Sequence, residues 1–191
     1  MKKRRLSVGT KILLIGGGFW YFGEGMFGPL LAVFTEQVGG DIFNVSWAWS
    51  VYLFVYGSLS IVIGYFADFL HKGWLMVAGY ALNAVFTFSY LLVDDPLSLL
   101  VVQSGLGVAA ALATPTWNAL FDEWSSTDVD GYSWGLSEGV ASIITAIAIL
   151  VGGMVVYHYS FTVLFIAMGT MQVIATIYQS RILFIEQKKH A

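Results

Sequence analysis

The sequence has no cysteine, only three prolines and only three histidines. Without cysteine there is neither a disulfide nor a thiolate metal site. His71, His158 and His190 are scattered near the ends of apolar stretches, so no metal site and no histidine-based catalytic group is expected. Charge is scarce as well. Charged residues make up 11% of the chain, against about 25% in soluble domains. What fills the chain instead is apolar, with 58% hydrophobic residues and a mean hydropathy of +0.75. A water-soluble fold of 191 residues could not hide so much apolar surface, and lipid is the solvent that suits it. No cofactor and no nucleic-acid partner is expected.

The apolar residues fall in six stretches, 12–34, 42–66, 74–93, 97–121, 132–157 and 161–184. A bilayer core about 30 Å thick takes about 20 residues of helix to cross. Strands of an outer-membrane barrel would run about 10 residues and alternate in polarity. These stretches do neither. The sequence therefore predicts an all-α membrane protein, one transmembrane domain of six helices over 1–191. The connections are short and rich in Gly, Pro, Asp and Ser, and the longest is the acidic loop at 122–131. No soluble domain fits between the helices. Catalysis on a water-soluble substrate would need a site inside the bundle, and the chain is not read as an enzyme. The first stretch has a basic start, but it is too long for a secretory signal and no small-residue cleavage site follows it, so it is read as a retained helix.

All nine basic residues fall on one side of this arrangement. Lys2, Lys3, Arg4, Arg5 and Lys11 precede or open the first span, Lys72 lies between the second and third, and Arg181, Lys188 and Lys189 close the chain. The connections opposite hold Glu36, Asp41, Asp94 and Asp95 and no basic residue. By the positive-inside rule both termini are cytoplasmic, in a multi-pass cell-membrane protein. The acidic 122–131 loop is placed inside too, because acidic residues weigh little in that rule.

Polar groups in a bilayer core are costly and tend to mark function. Glu24, near the middle of the first span, has no Lys or Arg at its depth. It is expected to be a protonatable carboxyl on an internal cavity, or else a group hydrogen-bonded to a neighbouring helix. Tyr21 and Phe27 flank it and are placed on the same cavity. Glu138, Ser142 and Thr145 are spaced by four and three, which puts them on one face of the fifth span. Gln103, Gly107, Ala110, Thr114 and Trp117, with Asn118 beside them, draw a similar line on the fourth. Trp49, Tyr52 and Tyr56 share a face of the second, as cavity residues or as an interfacial aromatic belt. Asn83 and Gln172 read as helix–helix hydrogen bonds. The 21 glycines cluster in the first and fifth spans, with a G-x-x-x-G spacing at Gly135 and Gly139. They are expected to let helices approach closely and to rock during a transport cycle. No basic side chain lies within any span, which disfavours phosphate, nitrate or dicarboxylate as solute.

At the end of the second span the chain runs from Gly64 through Asp68, His71 and Lys72 to Gly73. This resembles the G-x-x-x-D-basic-x-G-basic signature of the major facilitator superfamily, with the basic cluster reduced and the second glycine displaced. The segment 103–110 with Pro115 is similar to that family's fourth helix, although its frequent arginine would fall at Val101. Residues 119–123 and 131–135 are similar to the link into its fifth helix, and Gly152, Gly153 and 161–165 to the turn into its sixth. The resemblance covers nearly the whole chain and one half of the family's twelve-helix architecture, whose halves share one orientation. It implies a parallel homodimer around a central cavity, with spans 1, 2, 4 and 5 facing it and spans 3 and 6 outside. It implies a gating motif of Gly64, Asp68 and Lys72, with Asp68 set against 133–139 of the partner chain. Family members with a carboxylate in the first helix include sugar–proton symporters and multidrug–proton antiporters. The expected function is thus a secondary carrier, proton-coupled through Glu24, for a small neutral or cationic organic solute such as a sugar, working as a homodimer by alternating access. A multidrug–proton antiporter, and a non-transporting or heteromeric membrane subunit, are the alternatives.

Overall fold

The computed structural model describes residues 6–67, 69–125 and 130–190, and among them only helices and turns form. Helix α1, Val8–Gly25, starts where Ser7 Oγ accepts the Thr10 amide at 3.0 Å. It does not run through the whole first apolar stretch. The helix stops at Gly25, a 3-10 turn spans Gly28–Leu30, and a short α2 follows at Leu31–Gln37. Pro29 lies within that turn, where its missing N–H and fixed φ suit a helix start and disfavour a helix interior.

Helix α3 spans Ile42–Ala67, α4 spans Lys72–Ser89 with a 3-10 turn at Tyr90–Leu92, and α5 spans Pro96–Trp124. Helix α6 covers Asp130–His158, α7 Phe161–Gln179 and α8 Arg181–His190. Asp95 caps α5 with a reciprocal pair of bonds to Ser98, and Ser160 caps α7. The sixth apolar stretch is thus also divided, at Ser180. Among the described residues five helical segments are long and apolar enough to cross a membrane, Ile42–Phe66, Lys72–Leu92, Pro96–Trp124, Gly131–His158 and Phe161–Ile185.

The helices pack in the spatial order α3, α5, α4, α7, α1, α6. Helices α1 and α5 stand in the middle, α4 and α7 close the back, and α3 and α6 form the flanks. Small residues set these contacts. A Cβ at Gly79 of α4 would lie 2.7 Å from the Ala109 carbonyl of α5, and one at Gly152 of α6 would lie 1.9 Å from the Met26 carbonyl. The G-x-x-x-G pair does not take part: Gly135 and Gly139 face open space.

The core has two parts. One gathers Leu13, Met76, Tyr80, Trp117, Leu120, Phe121 and Ile182 at the N-terminal end of α1. The other gathers Met26, Phe27, Phe34, Tyr90, Phe161 and Phe165 at its far end. Between them, along α1, α4 and α7, lie the polar side chains of Glu24, Asn83 and Gln172.

Candidate functional site

Glu24 lies on the last turn of α1, where the helix turns inward toward α4 and α7. Its Oε1 accepts two amide bonds, from Asn83 Nδ2 of α4 at 2.8 Å and from Gln172 Nε2 of α7 at 3.1 Å. Gln172 Nε2 also donates to the Trp20 carbonyl at 3.3 Å. Glycine makes this possible. A Cβ at Gly23 would fall 2.6 Å from Gln172 Nε2, and one at Gly16, two turns earlier, 1.7 Å from Gln179 Oε1. The α7 glutamines, seven residues apart, thus reach into the face that the α1 glycines leave open. The carboxyl is partly buried, and its ties run to the back of the bundle. Among the described residues no Lys, Arg or His forms an ion pair with it. The Tyr52 and Tyr90 phenols stand within electrostatic reach of it.

Beside this polar layer is a small cavity between α1, α4 and α5. It has a volume of about 40 Å³ and is lined by Gly17, Trp20, Tyr21, Tyr80, Ala113, Thr114, Trp117 and Asn118. That is room for a few water molecules. Trp20 and Tyr80 rings lie 4.5 Å apart on one wall, and Trp117, stacked on Phe121, donates Nε1–H to the Leu13 carbonyl at 3.3 Å. A larger groove between α1, α6 and α7, walled by Phe19, Phe22, Ile144 and Met171, contains only apolar side chains and glycine.

The residues expected from sequence divide accordingly. Tyr21, Thr114, Trp117 and Asn118 do line one cavity. Trp49, Tyr52 and Tyr56 do share a face of α3, with ring centroids 5.7 Å and 6.2 Å apart in sequence order. Glu138 is exposed on α6 and within electrostatic reach of Tyr21. Ser142 is exposed on the same face, and Thr145 is half-buried against Gly25.

Eight expected cavity residues line neither the small cavity nor the groove: Trp49, Tyr52, Tyr56, Glu138, Ser142 and Thr145 stay on the α3 and α6 faces, and Phe27 and Gln103 are buried elsewhere. Phe27 is buried in the aromatic cluster, 4.9 Å from Tyr90 and 5.2 Å from Phe165. The helix ends at Gly25, so the periodicity that kept Phe27 on the face of Glu24 no longer holds. Gln103 is buried, because its face of α5 is covered where Gly107 meets the backbone of α3. Of the gating motif, Gly64 stands in open space, and Lys72 Nζ lies 4.0 Å from Glu123 Oε2, joining the start of α4 to the end of α5. Asp68 lies outside the described residues.

Trp20 and Tyr80 are the cavity residues that sequence reading missed. A usable signal was there, since Trp20 lies one turn before Glu24 and Tyr80 one turn before Asn83.

The arrangement offers a carboxyl held by two amides, a small aromatic cavity one turn away along α1, and polar faces on the outer helices. Comparison with curated proteins finds no significant match. A family model described as Major Facilitator Superfamily matches residues 13–191. With its apolar helices and nearly complete coverage, the chain belongs to the major facilitator superfamily of membrane transporters.

Proposed function

We propose that this protein is a proton-coupled secondary carrier of a small neutral or cationic organic solute, working by alternating access. The observation that carries the reading is the Glu24 carboxyl, held by Asn83 and Gln172, unpaired with any basic side chain among the described residues, and one turn along α1 from the Trp20 and Tyr21 that line the aromatic cavity. A carboxyl in such a place must be protonated or strongly hydrogen-bonded in lipid, and it changes charge when a proton arrives. In this reading α1 and α2 together form the first of six spans, broken at Pro29, and both termini are cytoplasmic in the cell membrane.

The carrier acts as a parallel homodimer. A cavity of about 40 Å³ within one chain is too small for a sugar, so the solute site is completed across the open faces of α3 and α6 by a second copy. Asp68 then meets the partner's α6 near Gly135 and Gly139, where open space is available. The test is flux in liposomes holding only this chain, with a panel of sugars and lipophilic cations, comparing wild type with Glu24→Gln. Solute-dependent proton flux that disappears in the variant is the expected result. Proton-independent solute flux would leave a carrier without coupling. No flux with any solute from folded protein would point to a heteromeric or non-transporting subunit.

One observation favours a second reading, an antiporter of organic cations. Four aromatic rings, Trp20, Tyr21, Tyr80 and Trp117, line the cavity, and Glu138 lies within electrostatic reach of Tyr21. Such walls attract the charged end of a cation whose bulk lies outside the cavity of about 40 Å³. In the same liposomes, exchange of a lipophilic cation for protons, with sugars inert, would select it.

A further inference from the structure

The Gln172 amide presents a mismatch. Its Nε2 serves two acceptors, Glu24 Oε1 at 3.1 Å and the Trp20 carbonyl at 3.3 Å, while its Oε1 is buried with no donor. The residue is fully buried, pressed against the space left by Gly23. A buried amide with an idle oxygen is unfavourable where that oxygen has a donor to gain. Protonation of Glu24 supplies one. A half-turn of the amide exchanges its nitrogen and oxygen, and brings the oxygen to the position now 3.1 Å from the carboxyl. The carboxyl O–H then has an acceptor, and the amide nitrogen gives up both the carboxyl and the Trp20 carbonyl.

We propose that Gln172 is a positioning residue that reads the protonation state of Glu24, nitrogen inward to the carboxylate and oxygen inward to the acid, and so couples proton arrival to release of α7 from the α1 backbone. This rests on the reading of Glu24 as the proton site. No covalent bond changes; one proton is added to a carboxylate oxygen and one amide rotates. Gln172 differs from the other groups facing the carboxyl in having a buried oxygen with no donor. Asn83 of α4 donates through its nitrogen, and α3 and the turn after α4 present the Tyr52 and Tyr90 phenols. On α6 Glu138 reaches Tyr21. Gln179, the other α7 glutamine with an idle buried oxygen, donates to Met76 Sδ at 3.4 Å, away from the carboxyl.

The test is infrared difference spectroscopy of the full chain in liposomes, between acid and alkaline pH, with carbon-13 in the glutamine side-chain amides. The Glu24 carboxyl band is the one absent from Glu24→Gln. The expected result is a glutamine amide band that shifts with the same midpoint as that carboxyl band and is lost in Gln172→Met. The carboxyl midpoint in Gln172→Met should lie about one pH unit higher than in wild type, a tenfold change in proton affinity. That sign follows because the bond lost by the carboxylate is charge-assisted and about twice as strong as the one lost by the acid. A titrating carboxyl band with a motionless glutamine band and an unmoved midpoint would reduce Gln172 to packing and leave Glu24 as the proton site. No titrating carboxyl band in wild type would remove the proton site itself, and this proposal with it. Should Gln172→Met not fold, the wild-type amide band alone decides.

Discussion

The back and the flanks of this bundle are built on different rules. At the back, α1, α4 and α7 meet through glycine, amides and stacked rings, and Leu13, Met76, Leu164 and Gln172 have no exposure at all. On the flanks, α3 and α6 each rest on one main neighbour, and Phe54, Tyr65, Ile143 and Leu150 are largely exposed, as are Glu138 and Ser142. In lipid an apolar residue gains little by being covered, so a helix becomes fixed only where shape and hydrogen bonds fit. The back has both. The flanks fit on one side only, where Gly107 of α5 meets the α3 backbone and Gly152 of α6 meets Met26, and their other faces are left open to meet another surface. The polar side chains are split along the same line. Glu24, Asn83 and Gln172 are tied inward, whereas Glu138 and Ser142 are exposed.

The largest effect expected from breaking this contrast is at the aromatic end of the back. Phe165 contacts Phe34 and Tyr90 at 4.9 Å and Phe27 at 5.2 Å. Phe165→Ala should cost about 3 kcal/mol, the low end for such a truncation, because the unfolded helices stay in lipid. Unfolding in mixed micelles measures it. A loss well under about 1 kcal/mol would mean that these rings do not act as a packing unit.

A pair of glycines on one helix sharpens the comparison. The methyl of Gly152→Ala would be forced against the Met26 carbonyl, and overpacking of this kind costs about 1–3 kcal/mol. Gly139→Ala meets nothing within 4 Å and should stabilise the folded chain by up to about 1 kcal/mol through helix propensity. If the open face of α6 does dock on a second copy, Gly139→Ala will nevertheless slow transport. Equal effects of the two changes on unfolding would erase the distinction between the faces.

Glu138→Gln probes function on the flank without touching the fold. Its unfolding midpoint should stay within about 0.5 kcal/mol of wild type, as at other exposed positions. Solute flux in liposomes should fall severalfold if the α6 face lines the path. Unchanged flux would move the path away from α6 and toward the Trp20–Tyr80 cavity.

The sequence made the helices legible because apolar length is the dominant signal in lipid. The break in the first stretch was not read, although Gly25, Gly28 and Pro29 mark it. That omission alone misplaced Phe27. Gln103 was misplaced for a different reason: a periodic line shows which residues share a face, not what covers that face. On α5 the line is divided, with Gly107 under α3 and Thr114 on the cavity. The partners of Glu24 were present in the sequence as isolated amides. Nothing in their spacing joins residues 24, 83 and 172, because they come from three helices whose register is set by packing.

The smallest effect lies outside the membrane, at the start of α5. Asp95 Oδ1 accepts the backbone amides of Ser98 at 3.0 Å and Leu97 at 2.6 Å. These bonds, the one from Ser98 foremost, favour the charged form and hold its carboxyl below the usual range. The sign follows directly. A depressed carboxylate contributes stability above its unfolded-state pKa, and that stability is lost as pH falls through the lowered folded-state value. Asp95→Asn keeps an oxygen that can cap the helix but cannot titrate. The two proteins should therefore match in amide exchange at Leu97 and Ser98 under acid conditions and diverge at neutral pH, with wild type slower. If wild type gains no protection on going from acid to neutral pH, the charge of Asp95 does not hold the cap. The entry to α5 would then be fixed by Pro96 and the helix packing behind it.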